Sequence, residues 1–373
     1  MAEPVWITGI GLVSCLGEGP EAHAAALAGA SPVVDEESFA PFPVHPLPAL
    51  NLDRQIPKKG DQRQMEPWQR LGTYAAGLAI DHAGARGLVA DMHLVVAAGG
   101  GERDIGLDEA ITAELATLPP AEAAARLNER LANGLRPTLF LAQLSNLLAG
   151  NISIVHGVTG SSRTFMGEEA AAADAVRITA ARLAEGRGGI ALVGGAYVAA
   201  RWDMLLLYAA SGGLLRGAWA PMAERGEAGL VMGSVAAFLV LETASHARAR
   251  GATGLAVLTG IATGAARRRG EDSAEASAAG LAARLPLRPG ATVISGASGA
   301  AAATAAEARF LAGLPAPGPM VRSAESLGHS VEAAFPANLA LATLVVQAGA
   351  PQALATGFGV WRGEALALVE PVA

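Results

Sequence analysis

The chain has 373 residues, 51% of them hydrophobic, 16% charged and 4% aromatic. That profile excludes an intrinsically disordered chain, which needs low hydrophobicity and high charge. Lys and Arg number 27 against 34 Asp and Glu, so the clustered basic footprint of a nucleic-acid-binding protein is missing. The single cysteine, Cys15, rules out an intrachain disulfide framework and a Cys-based zinc or iron–sulfur site, and it fits a reducing, cytoplasmic setting. The 46 glycines and the many alanines suit helices packed closely on sheets, so an Ala/Gly-rich α/β protein is expected.

The start, MAEPVWITGIG, has neither a basic n-region nor a long apolar h-region, so no secretory signal is expected. Residues 5–10 form a short β-branched run that reads as a buried strand, and 21–27 reads as a helix. Residues 31–66 are Pro-rich and then charged, with Lys58, Lys59 and Arg63. They read as an excursion over the surface whose cations form a solvated face or meet an acidic partner. Helical spacing of Leu71, Ala75, Leu78 and Ala79 predicts a helix over 68–83. A strand is expected at 94–98, followed by Gly99-Gly100-Gly101. This triplet lacks a GxGxxG or P-loop frame, so phosphate binding is not expected.

The spacing predicts a helix over 137–148, with Pro137 at a favoured first position, then a strand over 151–156. A long Ala-rich helix over 168–184 carries Glu168 and Glu169 in its first turn. Strands follow at 190–193 and 229–242. Residues 263–277, with the run Arg267-Arg268-Arg269-Gly270-Glu271-Asp272, read as a solvated loop. A strand at 292–295 ends in Gly296 and precedes a helix to Leu314. A helix over 336–348 and strands at 353–355 and 365–369 close the chain. Residues 137–162 and 333–361 are uncharged apart from His156. Their polar and turn residues argue for buried helix-then-strand rather than a membrane span. Strand–Gly–helix units in both halves suggest an internal pseudo-duplication of α/β units.

Four segments resemble a known family. The opening VWITGIGLVSCLGEG, the mid-chain PMAERGEAGLVMGSVAAFLVLE followed by HARARGA, the later SAESLGHSVEAAF and the late GFG at 357–359 are similar, in family order, to β-ketoacyl-acyl-carrier-protein synthases of the elongating type. The resemblance implies an α/β chain with the thiolase fold: two pseudo-duplicated βα halves in a five-layered αβαβα arrangement, usually dimeric. On this reading, residues 1–242 form the N-terminal half, with the excursion 31–66, and residues 243–373 the C-terminal half of one compact unit.

The family's Cys-His-His set does not carry over. Counting along the motifs puts Glu169 at the nucleophile position, with Glu168 as the alternative. Gly296 falls at the first His position and Glu325 at the Lys position, while His329 matches the second His. Phe358 falls at the family's acyl-gate position, with core packing as the other reading. A carboxylate forms no thioester. Placed about 4 Å from a negative substrate, it would repel by about 4 kcal/mol at an effective dielectric near 20, roughly a thousandfold in rate. Glu169 therefore reads either as an ordinary first-turn acid or as a plug, paired with a cation such as Arg163. Cys15 matches no nucleophile position and reads as a buried structural thiol.

The resemblance thus implies a degenerate ketosynthase homologue of chain-length-factor type, working in fatty acid or polyketide elongation. It would dimerise with an active ketosynthase homologue, or with itself, and meet an acyl carrier protein. It needs no cofactor, metal, nucleic acid or membrane span, because the acyl chain arrives on the carrier's phosphopantetheine. The alternatives are an active acyltransferase or malonyl-carrier decarboxylase with altered catalytic residues, and a homodimeric acyl-binding protein.

Overall fold

The computed structural model describes residues 3–27, 32–99, 101, 103–137, 139–265, 268, 270, 272–316 and 318–373. Ten strands carry the architecture. In chain order they are β1 (Val5–Ser14), β2 (His93–Ala97), β3 (Ser162–Phe165), β4 (Ile190–Tyr197), β5 (Val235–Thr243), β6 (Ala256–Gly264), β7 (Thr292–Ser295), β8 (Met320–Arg322), β9 (Ala353–Phe358) and β10 (Glu364–Glu370). The helices are α1 (Gly19–Leu27), α2 (Pro67–His82), α3 (Ile105–Leu115), α4 (Pro120–Gly134), α5 (Leu147–His156), α6 (Glu168–Ala184), α7 (Trp202–Ala210), α8 (Ser273–Ala282), α9 (Ala301–Ala312), α10 (Ser323–Leu327) and α11 (Ala334–Gln347). Shorter segments are left unlabelled.

The hydrogen-bonded order across the sheet is β3-β2-β4-β5-β1-β6-β10-β9-β7-β8. The first five strands and the last five repeat one plan: three parallel strands, then two added antiparallel. Each strand of the first half thus has its counterpart five places later in the chain. The halves join where β1 meets β6, in register Val5↔Leu258, Trp6↔Val257 and Ile7↔Ala256.

Strand alternation sorts the side chains into layers. On β2, Leu94 and Val96 face a core shared with α2 and α5, while Val95 and Ala97 face α6 and α11. On β9, Leu354 and Phe358 face α8 and α9, while Ala353 and Ala355 turn inward to α6 and α11. The five layers are therefore α2/α5, the first half-sheet, α6/α11, the second half-sheet and α8/α9, which is the arrangement that the resemblance implied. The inner helices are Ala-rich, so two helices fit between the sheets.

Several local expectations need correction. Residues 151–156 belong to α5, not a strand. Leu148, Ala149, Ile152 and His156 are buried at helical spacing while Ile154 is 72% exposed, and left-handed Gly157 ends the helix. Residues 137–148 do not make one helix; a short helical turn at Leu139–Ala142 comes before α5. The excursion is stitched into the body rather than laid over it: Val44 and Ile56 are fully buried, and Val44–His45 pairs with Met232–Gly233. Residues 263–277 are not all loop, since β6 runs to Gly264 and α8 begins at Ser273. Within the charged run there, Arg267, Arg269 and Glu271 lie outside the described residues. Among the described residues no helix is long and apolar enough to cross a membrane.

Candidate functional site

The N-terminus of α6 builds the centre of the site. Gly167, at φ 136°, precedes the helix, and Glu168 takes the left-handed φ of 60°. After this turn the next side chain, Glu169, points into the protein and is buried. Its carboxyl belongs to the first turn of a 17-residue helix and is met by its own backbone N–H, at the helix end where an anion is favoured.

His329 arrives from the other side. Its backbone N–H donates to the Val231 carbonyl at 2.7 Å, and its carbonyl accepts from Gly233 N–H at 2.9 Å. This close pass needs glycine at 233, where a Cβ would sit 1.8 Å from the Leu327 carbonyl oxygen. The imidazole is thereby held with Nε2 2.9 Å from Glu169 Oε1. Burial pushes the Glu169 carboxyl up, but the hydrogen bond and charge of His329 outweigh it, helped by the Glu169 and Val360 amides, and the group lies below the usual carboxylate range. Glu169 is therefore an anion that only accepts, so Nε2 carries the proton and donates.

The space beside this pair is a cavity of about 20 Å³ lined by Glu169, Gly296, His329, Phe335, Asn338 and Phe358. It has room for about one water molecule. At Gly296 no imidazole stands. Its N–H donates to Thr356 Oγ1 at 2.8 Å and Glu307 Oε1 at 3.0 Å, and a Cβ there would meet the Thr356 carbonyl oxygen at 2.5 Å. Glu307 also accepts from Ser295 Oγ at 2.8 Å, so it braces the strand ends. The geometry pairs one imidazole with one carboxylate and offers no nucleophilic thiol.

The other expected residues are scattered. Glu325 sits at the start of α10 and accepts from the Met222 N–H at 2.9 Å, pinning the 220–229 loop rather than facing His329. Phe358 is the last residue of β9. It lines the cavity and also packs on Phe310, ring centroids 6.0 Å apart. Cys15 is buried, donates to the Ser326 carbonyl at 3.2 Å, and burial pushes its thiol up to about 11. Arg163 lies exposed on β3, so the partner of Glu169 is His329 and not Arg163. Lys59 pairs with Asp53 at 2.5 Å on an exposed face, next to exposed Lys58 and Arg63. In the glycine triplet, Gly100 lies outside the described residues. Gly99 abuts the Glu332 carboxyl, and the Gly101 carbonyl accepts from Arg201 Nη2 at 3.0 Å.

Sequence reasoning missed a second buried group. Glu332, only three residues after His329, is 6% exposed, and burial together with the nearby Glu169 and Glu168 charges pushes it up to about 7. It lines a cavity of about 30 Å³ with Trp68, Gly99, Tyr197, Arg201 and Met204. Burial also raises the Tyr197 and Tyr208 hydroxyls, and among the described residues Tyr197 Oη has no hydrogen-bond partner. The available signal was an acid in the otherwise apolar stretch SVEAAF. Among the described residues no group of three His, Cys, Asp or Glu could hold a metal ion.

The family model "Beta-ketoacyl synthase, N-terminal domain" matches residues 2–247. No curated protein matches the sequence. Among solved structures, the chain is similar to the ishigamide ketosynthase/chain length factor, with a TM-score of 0.82 and 21% identity over the whole of both chains. It is also similar to a beta-ketoacyl synthase from Burkholderia phymatum STM815, with a TM-score of 0.79 and 20% identity over the whole of both. A third is AntDE:AntF, a type II polyketide synthase acyl-carrier protein in complex with its ketosynthase bound to the hexaketide, with a TM-score of 0.76, 17% identity and full coverage of both chains.

Proposed function

The chain belongs to the β-ketoacyl synthase family, and from that premise we propose that it is a ketosynthase-like subunit of fatty acid or polyketide elongation without condensing activity of its own, acting as a chain-length-factor-type partner of an active β-ketoacyl-carrier-protein synthase. One observation carries the reading. The helix N-terminus that would lower the pKa of a nucleophilic thiol instead holds the carboxylate of Glu169, bonded to His329 at 2.9 Å. An anion there opposes both acyl transfer and the enolate of decarboxylation, which needs donors aimed at a developing negative charge. The adjoining cavity of about 20 Å³ is far below the several hundred Å³ of ordinary ligand pockets.

A partner surface supports the same reading. β3 is an edge strand of the sheet, and an uncovered edge is a template for pairing with another chain. Ile154, on α5, and Met166, just after β3, are 72% and 66% exposed. Phe140, Leu206 and Leu207 add further exposed apolar side chains, the kind of surface that marks association. A ketosynthase homologue is the proposed occupant, with an acyl carrier protein serving the pair.

The test incubates the purified protein with acyl-carrier and malonyl-carrier protein, and reads the carriers by intact mass. No product alone, with condensation on adding the cognate ketosynthase, is expected. A β-ketoacyl product or acetyl-carrier formed by this chain alone would overturn the reading.

A further inference from the structure

The two halves finish the same corner differently. In the first half Met92 precedes β2, and Gly160 passes over it on the way to β3. In the second half Ala291 precedes β7, and Gly318 passes over it on the way to β8. The backbones match closely. A Cβ on Gly160 would sit 2.3 Å from the Met92 carbonyl oxygen, and one on Gly318 would sit 2.4 Å from that of Ala291. The neighbouring hydrogen bond repeats as well: Leu94 N–H donates to the Ser161 carbonyl at 3.0 Å, and Val293 N–H to the Pro319 carbonyl at 2.8 Å. Two residues before each glycine, Val158 stands where the second half has Ala316.

In the first half this corner is solid, with Met92 and Val158 buried in the core beside Leu94. In the second half the matching side chains are the two alanines, and a cavity of about 230 Å³ takes the place of the missing atoms. Its walls are apolar: Leu285, Leu287, Val293, Leu314 and Leu354. Ala283 and Pro315 at its rim are exposed, so it opens to solvent. An apolar cavity of about 150 Å³ takes benzene, so a tail of about six to eight carbons fits here. The cavity is well apart from Glu169. Val293 and Leu354 stand near the first residues of β7 and β9, whereas Gly296 and Phe358, which line the small cavity beside Glu169, stand at the other ends of those strands. Four residues of strand separate Leu354 from Phe358, about 13 Å.

Among the described residues Arg288 is the one charged side chain at the cavity wall. Its Nη2 lies 3.1 Å from Glu370 Oε2, and its side chain is 60% exposed, so the pair contributes little. Glu370 also accepts from Gln352 Nε2 at 2.6 Å and keeps a partner when the guanidinium turns. A guanidinium presents five donors in a fork that fits a carboxylate. We propose that the corner between α8, α9 and the starts of β7 and β9 is a binding site for a free medium-chain carboxylic acid, with its tail in the cavity and its carboxylate on Arg288. The site is separate from the Glu169–His329 pair and from the β3 edge, which lies at the other end of the strand order. It goes beyond the partner role proposed above and does not depend on it.

The test titrates the full chain calorimetrically with octanoate and with octanol, both below micelle formation. Saturable one-to-one binding of octanoate is expected, with octanol at least about 10-fold weaker, the share of one charge-assisted contact. Arg288→Ala is expected to weaken octanoate about 10-fold, to the level of the alcohol. Ala291→Met copies the filled corner of the first half. It is expected to weaken octanoate at least about 10-fold by occupying the cavity, without lowering the melting temperature. If Ala291→Met does not fold, Ala283→Trp at the exposed rim blocks the same space and decides instead. No saturable binding of octanoate, or binding that survives the filled or blocked corner, overturns the site. Equal affinity for acid and alcohol, or unchanged octanoate affinity in Arg288→Ala, overturns the carboxylate assignment. The carrier-protein assay is read separately and is moved by neither result.

Discussion

Glu332 makes the pH dependence of stability a direct probe of this interior. Its carboxyl titrates near 4.5 in the unfolded chain and at about 7 when folded, chiefly because burial disfavours its charged form. Below pH 4.5 both states hold the proton and the group costs nothing. Between 4.5 and 7 the unfolded chain releases the proton while the folded chain keeps it, so stability falls as pH rises. Above about 7 the whole penalty stands. The gap corresponds to about 3 kcal/mol, a large share of a typical net stability of roughly 5–15 kcal/mol. Glu332→Gln keeps the shape and cannot ionise. Urea unfolding of wild type and variant at equal concentration, from pH 5 to 8, isolates the effect from other titrating groups such as Glu307, His45 and His156. The stability of the variant relative to wild type is expected to climb by roughly 2 to 3 kcal/mol across that range. Parallel curves would refute the argument, whatever their constant offset.

Glu169→Ala removes one partner of a buried pair and is expected to cost about 3 kcal/mol in urea unfolding at pH 7. That contribution is present above the ordinary carboxylate pKa and fades as pH falls through the lowered pKa of Glu169, so wild type and variant should converge in acid; a gap that persists there counts against the pair. Gly233→Ala drives a methyl into the Leu327 carbonyl and is expected to cost more than about 3 kcal/mol. A soluble variant melting at the wild-type temperature would contradict the close approach of these two segments. The Cys15 thiol, pushed up to about 11 by burial, is expected to ignore Ellman's reagent at pH 8 until urea unfolds the protein, and prompt reaction of the folded protein would contradict its burial.

Much of the fold was legible because buried strands and inner helices announce themselves through apolar runs. The span of α6, Glu168–Ala184, and that of β7, Thr292–Ser295, match their sequence expectations end for end. The run Asn151–His156 misled because Ile152 and Ile154 are two apart, as in a strand, while their opposite burial shows a helix. The α3–α4 hairpin went unseen because nearly all of it is at least partly exposed, with Ile111 as its one buried residue among those described. At the site, the motif order gave the positions of Glu169 and His329. Their pairing lay beyond it, since 160 residues of chain separate them and no periodicity reports a contact at that range. Glu332 stayed hidden for a related reason: an acid reads as surface until a neighbouring backbone, here Gly99, is seen to cover it.

The repeated strand plan also bears on how the molecule comes apart. Each half has its own outer helices, but α6 and α11 share one core with the inner faces of both half-sheets. A half separated from the other would leave its inner face wet, with only the three-residue seam of β1 and β6 left to pair along its rim. The duplicated halves are therefore topological copies without being independent folding units. Their melting is expected to be one cooperative transition, and a cut between residues 243 and 256 would yield two fragments that regain structure only together.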